Sequence, residues 1–122
     1  MHIGKRAAWI LPALVVLAVT AYIMRSWPPP DSIRRAREAV LRQNLFTIPD
    51  LIRQYYIDKG SRPHSLDDLV RAGYARKIPT DPITGRDDTW VVQRLKGSET
   101  EIVDLHSGSH LKAVDGTTYD RW

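Results

Sequence analysis

Residues 33–59, IRRAREAVLRQNLFTIPDLIRQYYIDK, decide the fold of this 122-residue chain. Steps of three and four separate its apolar residues, which is the period of an α-helix. These residues are Ile33, Ala36, Val40, Leu41, Leu45, Ile48, Leu51, Ile52, Tyr55 and Tyr56. The opposite face carries Arg35, Glu38, Arg42, Asp50, Arg53 and Asp58. The pattern predicts an amphipathic helix about 40 Å long, which we expect Pro49 to kink and Gly60 to end.

Shorter elements follow this helix. Ser65, with an aspartate three residues later, has the pattern of a capping box and predicts a short helix. Residues 89–95 and 101–105 have strand composition, and a glycine-containing turn separates them. Residues 119–122 are expected to form a short last strand or to lock onto the sheet. A helix followed by antiparallel strands is an α+β layout.

Residues 7–24, AAWILPALVVLAVTAYIM, precede the amphipathic helix and contain no charge. As a helix they would be about 27 Å long, close to the hydrocarbon thickness of a bilayer. They therefore predict a transmembrane anchor. A cleaved secretory signal is the competing interpretation, with Lys5 and Arg6 as its basic region and residues 19–21 as its cleavage site. The apolar run continues to Met24, which favours the anchor.

These patterns divide the chain into four parts. They are a cytoplasmic N-terminus at 1–6, a transmembrane anchor at 7–24, a proline-rich joint at 25–32 and a periplasmic domain at 33–122. The joint contains Pro28, Pro29 and Pro30, which cannot continue an α-helix and predict a stiff connection. We expect a single-pass protein of the bacterial inner membrane with its C-terminal domain in the periplasm.

The distribution of charge along the chain is more informative about partners and topology than the net charge of +4. The first 30 residues hold three basic residues and no acid, which leaves 15 Lys and Arg against 14 Asp and Glu in the rest. The domain is thus nearly neutral, and no nucleic-acid partner is predicted. A basic run after the anchor predicts a solvated helix face or a contact with anionic lipid headgroups; it comprises Arg34, Arg35, Arg37 and Arg42. These arginines oppose the orientation that Lys5 and Arg6 favour, so flanking charge leaves the topology open.

Few residues carry the pattern of an active site. The chain has no cysteine, which excludes a disulfide framework and a thiolate zinc site. No nucleophile elbow or phosphate-binding loop is present, and no enzyme is predicted. Asp115 and Asp120 lie in a loop rich in glycine and hydroxyl side chains, and hard oxygen ligands of this kind suit calcium. His106 and His110 in the same region make zinc or nickel the competing ion, because imidazole suits these metals better than calcium.

Several blocks in order resemble the major, G-type pseudopilin of type II secretion systems, over residues 34–122. The blocks are REAVLRQNL at 37–45, QYYIDKG at 54–60, PHSLDDLV at 63–70, GY at 73–74, IPTDP at 78–82, DLHSGS at 104–109, DGT at 115–117 and DRW at 120–122. The resemblance implies a pilin-like fold with a long helix on a small antiparallel sheet. It also implies a structural subunit of a short periplasmic fibre that supports protein secretion across the outer membrane. The implied partners are other pseudopilin subunits, inner-membrane components of the secretion system and the lipid bilayer.

Three features depart from the pilin pattern. Gly4 is followed by Lys5, where pilin-like precursors have an aromatic residue, and residues 7–24 contain no glutamate. The triple proline also interrupts a helix that is more continuous in pilins. These departures favour an alternative function, a membrane-tethered accessory or binding module that has the pilin fold and does not polymerise.

Overall fold

The computed structural model describes residues 9–27 and 30–122. It contains two compact units, residues 1–30 and residues 31–122, and each is described here by itself. The predicted cytoplasmic N-terminus, the start of the predicted anchor, and Pro28 and Pro29 lie outside the described residues.

Helix α1, Ile10–Ser26, is the apolar helix of the first unit. None of its residues is buried, and its basic residue Arg25 lies in the last turn. Pro12 falls in the first turn, where the missing N–H would have no partner in any case. Within the described residues, one helical stretch near the N-terminus is long and apolar enough to cross a membrane, and α1 supplies its apolar part.

Helix α2, Pro30–Lys59, belongs to the second unit from Asp31 onward. It starts three residues before the predicted helix, because proline suits the first position of a helix. The helix runs through Pro49, and the kink predicted there stays a prediction. Gly60 ends it as predicted: its φ is 76°, and its N–H donates to the Tyr56 carbonyl at 2.9 Å. Glycine adopts this left-handed conformation without steric cost.

Helix α3, Leu66–Arg71, begins with the predicted capping box. The Asp68 carboxylate accepts hydrogen bonds from the backbone N–H groups of His64 at 2.9 Å and Ser65 at 3.2 Å. The first of these bonds contributes most to lowering the pKa of Asp68 below its usual value. Two otherwise unpaired N–H groups before the helix are thereby satisfied.

The sheet has two antiparallel strands, β1 at Val91–Arg94 and β2 at Ile102–His106. Val91 pairs with His106, and the register shifts between Gln93 and Arg94. Strand β1 is shorter than the seven predicted residues. Long loops therefore form much of the second unit, and their turns and side chains supply the hydrogen bonds that a larger sheet would provide.

One hydrophobic core joins α2 to the sheet and the loops, which confirms the α+β layout. Its buried members are Leu41, Ile48, Ile52, Leu69, Trp90, Ile102, Leu105, Ala113 and Tyr119. Trp90 is the largest of them, and its indole N–H donates to the Pro79 carbonyl at 2.8 Å. Burying this ring thus leaves no unpaired donor.

The C-terminal segment forms a small hairpin and a 3-10 helix, where the sequence predicted a last strand or a lock. Lys112 and Thr118 form an isolated antiparallel bridge, and the Ala113 N–H donates to the Thr117 carbonyl at 2.7 Å. The 3-10 helix follows at Tyr119–Arg121. The segment thus satisfies its backbone locally and reaches the core through Ala113 and Tyr119.

Candidate functional site

Asp115, the first of the two predicted calcium ligands, forms the turn of the C-terminal hairpin. Its Oδ1 accepts hydrogen bonds from the Thr117 N–H at 2.9 Å and from the Thr117 hydroxyl at 2.6 Å. The hydroxyl contributes most to lowering the pKa of this carboxyl group. Gly116 completes the turn with a φ of 87°, which favours glycine. In this position Asp115 fixes the hairpin through its own hydrogen bonds.

Asp120, the second predicted ligand, pairs with a histidine. His110 Nδ1 lies 2.8 Å from Asp120 Oδ2, and the pKa of Asp120 is lowered by the Thr118 side chain and then by His110. Its other oxygen, Oδ1, is buried without a hydrogen-bond partner in the described part of the chain. His106, the other candidate for zinc, lies at the end of β2, and its Nδ1 is 2.9 Å from the Ser107 carbonyl.

The two aspartates do not by themselves complete a metal site. Among the described residues, no three His, Asp or Glu side chains lie together in a group able to hold an ion. Calcium takes six to eight oxygen ligands, so most would have to come from backbone carbonyls and water. Calcium binding at Asp115 and Asp120 stays a prediction.

Glu38 was placed on the solvent face of the helix by its position in the sequence, and this placement is wrong. The residue is only 6% exposed. Its Oε1 accepts hydrogen bonds from the Val114 N–H at 2.7 Å and from the Tyr119 hydroxyl at 2.9 Å. Burial, and then the bond to Glu38, raise the pKa of Tyr119. A carboxylate on α2 therefore holds the C-terminal segment in place.

Arg42 was predicted to lie on the solvent face, and its exposure confirms this. It also makes a second contact between α2 and the C-terminal segment. Its guanidinium lies 4.4 Å from the centre of the Trp122 ring, in a cation–π contact. The Trp122 indole N–H donates to the Thr117 hydroxyl at 2.8 Å. The end of the chain is thus tied both to α2 and to its own hairpin.

Asp81 and Ser107 form a fully buried polar pair that sequence reasoning missed. The Ser107 hydroxyl donates to Asp81 Oδ2 at 2.5 Å, and Asp81 Oδ1 accepts from the Ile83 N–H at 2.8 Å. Both residues are 0% exposed. The hydrogen bond between them connects the loop after α3 to the end of β2. The aspartate in the proline-rich IPTDPITG stretch was the available signal.

The largest exposed apolar side chains of α2 lie opposite the core. Phe46 is 72% exposed and Ile57 is 71% exposed. Eleven residues separate them, which is about three helical turns, so they lie on one face about 16 Å apart along the axis. The core residues Leu41 and Ile48 lie on the other side of the helix. We call the pair Phe46 and Ile57 the uncovered face of α2.

An ion pair separates the two apolar residues of the uncovered face. Arg53 donates to the Asp50 carboxylate, and Gln54 donates to the same carboxylate at 2.9 Å. The uncovered face therefore alternates apolar and polar groups along the helix. Such a face can combine buried apolar contacts with polar groups that fix a register.

Comparison of the chain with family models, with curated proteins and with solved structures finds no match.

Proposed function

We propose that this chain is a membrane-anchored structural subunit, similar to a type II secretion pseudopilin, that assembles with copies of itself into a fibre. The observation that carries the proposal is the uncovered face of α2, on a chain that also has a helix apolar enough to cross a membrane. The proposed cellular site is the bacterial inner membrane, with residues 31–122 in the periplasm. The proposed role is to support protein secretion across the outer membrane.

The anchor is the first support for this proposal. No residue of α1 is buried, and Leu17, at its centre, is 70% exposed. A helix with apolar side chains on all sides is stable in lipid, because its backbone hydrogen bonds are all made within the helix. Subunits held in one membrane meet in a common orientation, which favours repeated contacts between like surfaces.

The uncovered face is the second support. Single exposed apolar residues are ordinary on a protein surface, but Phe46 and Ile57 lie in line along one helix. The second unit uses the other side of α2 for its core, so its own residues cannot cover this face. A neighbouring copy in the same orientation could cover it by a head-to-tail contact that does not close, and such contacts generate helical filaments.

Crosslinking in the membrane tests the proposal. A photoreactive phenylalanine analogue, p-benzoylphenylalanine, replaces Phe46 in the full chain, and the membranes are irradiated. Each subunit of a fibre contacts the next one, so we expect a ladder of dimers, trimers and larger products. The matched control carries the same analogue at Glu99, an exposed residue near the turn between the strands, and we expect only monomer from it.

The pattern of products separates the alternatives. A dimer without higher products would indicate a closed pair and would contradict a fibre. Monomer alone from the Phe46 position, with the protein still in the membrane, would favour the tethered module that does not polymerise. As a second test, Phe46→Ser should reduce the ladder obtained with the analogue at Ile57 and leave the melting temperature unchanged.

A further inference from the structure

A groove with basic walls lies between the N-terminal turns of α2 and the C-terminal hairpin. Its volume is about 320 Å³, and it is lined by Arg34, Arg37, Ile83, Leu111, Lys112 and Tyr119. Three of these six residues are cations and the other three are apolar or aromatic. The groove lies wholly within the second unit, away from the uncovered face.

Two of the three cations have no carboxylate partner. Within residues 9–27 and 30–122, neither Arg37 nor Lys112 forms an ion pair, although both are exposed. Arg34 donates to the Lys112 carbonyl at 2.9 Å and lies 3.7 Å from the exposed Asp31 carboxylate. Glu38, the buried acid nearby, already accepts two hydrogen bonds from the C-terminal segment. Arg37 and Lys112 are thus two unpaired cations at the groove, an arrangement that suits an anion.

The apolar residues of the lining indicate that the bound anion also has an apolar part. Leu111 is 66% exposed beside Lys112, and Ile83 lines the same groove. A small inorganic anion gains nothing from these side chains. An anionic phospholipid matches both parts, because its phosphate can bind guanidinium and ammonium groups while its glycerol and upper acyl region contact the apolar side chains.

The position of the groove in the chain agrees with this ligand. Arg34 follows Ser26, the last residue of α1, by eight residues, which span at most about 28 Å when fully extended. If α1 crosses the membrane, a connection of this length allows the basic end of α2 to reach the headgroups. We propose that Arg34, Arg37 and Lys112 bind the phosphate of an anionic phospholipid in the membrane that holds α1. The inference rests on the membrane attachment in the proposed function and not on fibre assembly.

Lipid retention by the full chain tests this site. The protein is reconstituted in nanodiscs with equal amounts of phosphatidylglycerol and phosphatidylcholine that have the same acyl chains. It is then released into mild detergent, and native mass spectrometry counts the bound lipids. We expect phosphatidylglycerol to be retained roughly tenfold over phosphatidylcholine, and the double variant Arg37→Gln/Lys112→Gln to lose most of this preference.

A matched variant removes two positive charges elsewhere. Arg76 and Lys77 are exposed and lie outside the groove, so Arg76→Gln/Lys77→Gln should keep the preference. The double variant spares Arg34, which donates a hydrogen bond to the Lys112 carbonyl, and its melting temperature should match that of the unmodified protein. Equal losses in both variants would show a general charge effect and would overturn the site.

Three further outcomes would also overturn it. Phosphatidylglycerol preference that survives in the double variant would place the lipid elsewhere, and no preference in the unmodified protein would show that no anionic lipid binds. Displacement of the lipid by millimolar inorganic phosphate would indicate a small-anion site. Each outcome is distinct from failure of the proposed function, which is read from the crosslinking ladder.

Discussion

Helices α1 and α2 are both long, and they differ in what their apolar side chains contact. In α1 no residue is buried, whereas α2 buries Leu41, Ile48 and Ile52 in the core and leaves its uncovered face exposed. A helix that is apolar on all sides needs an apolar solvent, and a helix with one apolar side needs a protein partner. The comparison shows that one chain contains both kinds, with a proline-rich joint between them.

The largest stability effect should come from the core side of α2. Ile48 is 1% exposed, so Ile48→Ala leaves a cavity and should lower the free energy of unfolding by about 2–5 kcal/mol. Phe46→Ala, two residues away on the uncovered face, should change it by less than about 0.5 kcal/mol. Chemical denaturation of both variants in detergent measures the difference. Equal losses would mean that the two sides of α2 are not distinct.

The next largest effect should be on the membrane insertion of α1. Leu17→Arg puts a charge at the centre of the helix and should oppose membrane insertion by about 3–4 kcal/mol. Val40→Arg, at an exposed position of α2, should leave insertion unchanged. Alkaline extraction of membranes measures the retained fraction of each. Equal retention of both variants would show that α1 is not held in the bilayer.

The same preparation separates an anchor from a cleaved signal. The intact mass of the membrane-extracted protein should include α1. A mass that begins at Tyr22 would show cleavage after Ala21, and a mass that begins at Lys5 would show processing of the prepilin type. The first result would remove most of α1, on which the comparison of the two helices rests, whereas the second would remove only residues 1–4 and leave α1 intact.

A smaller effect should come from the polar contact of α2 with the C-terminal segment. Glu38→Gln keeps the shape of the side chain and weakens its bonds to Val114 and Tyr119, which should cost about 1–2 kcal/mol. Glu99→Gln, at an exposed position, is the control and should have almost no effect. If the two variants unfold at the same denaturant concentration, the buried carboxylate does not stabilise the segment.

The smallest effect should be the pH dependence of the stability that Tyr119 contributes. The pKa of Tyr119 is raised from 10.0, first by burial and then by the bond to Glu38. A raised pKa means that the stabilisation is complete below pH 10 and is lost as the pH rises through the value in the folded protein. Tyr119→Phe should therefore be less stable than the unmodified protein at pH 8, by about 1–2 kcal/mol. The difference should narrow above pH 10, and a constant difference across this range would contradict the assignment.

Local sequence patterns predicted the regular elements well. The capping box at Ser65, the end of α2 at Gly60 and the positions of both strands all depend on interactions within a few residues, such as a side chain bonded to the next turn or a glycine at positive φ. The long helix was predicted by its period, and it differs only at its start, where Pro30 is its first residue. The pilin-like fold and the fibre role that the resemblance implies stay proposals.

The sequence by itself determined the apolar helix, the amphipathic helix, the two strands and the α+β layout, because periodicity and turn chemistry are local properties. Only the tertiary structure decided that Glu38 is buried and that Asp81 and Ser107 meet, since these contacts join residues 76, 81 and 26 positions apart. A carboxylate on a helix is usually solvated, and no local pattern shows that a distant hydroxyl or N–H group will satisfy it. Burying such a group costs free energy unless hydrogen-bond partners compensate for the lost water, and only the folded chain brings these partners together.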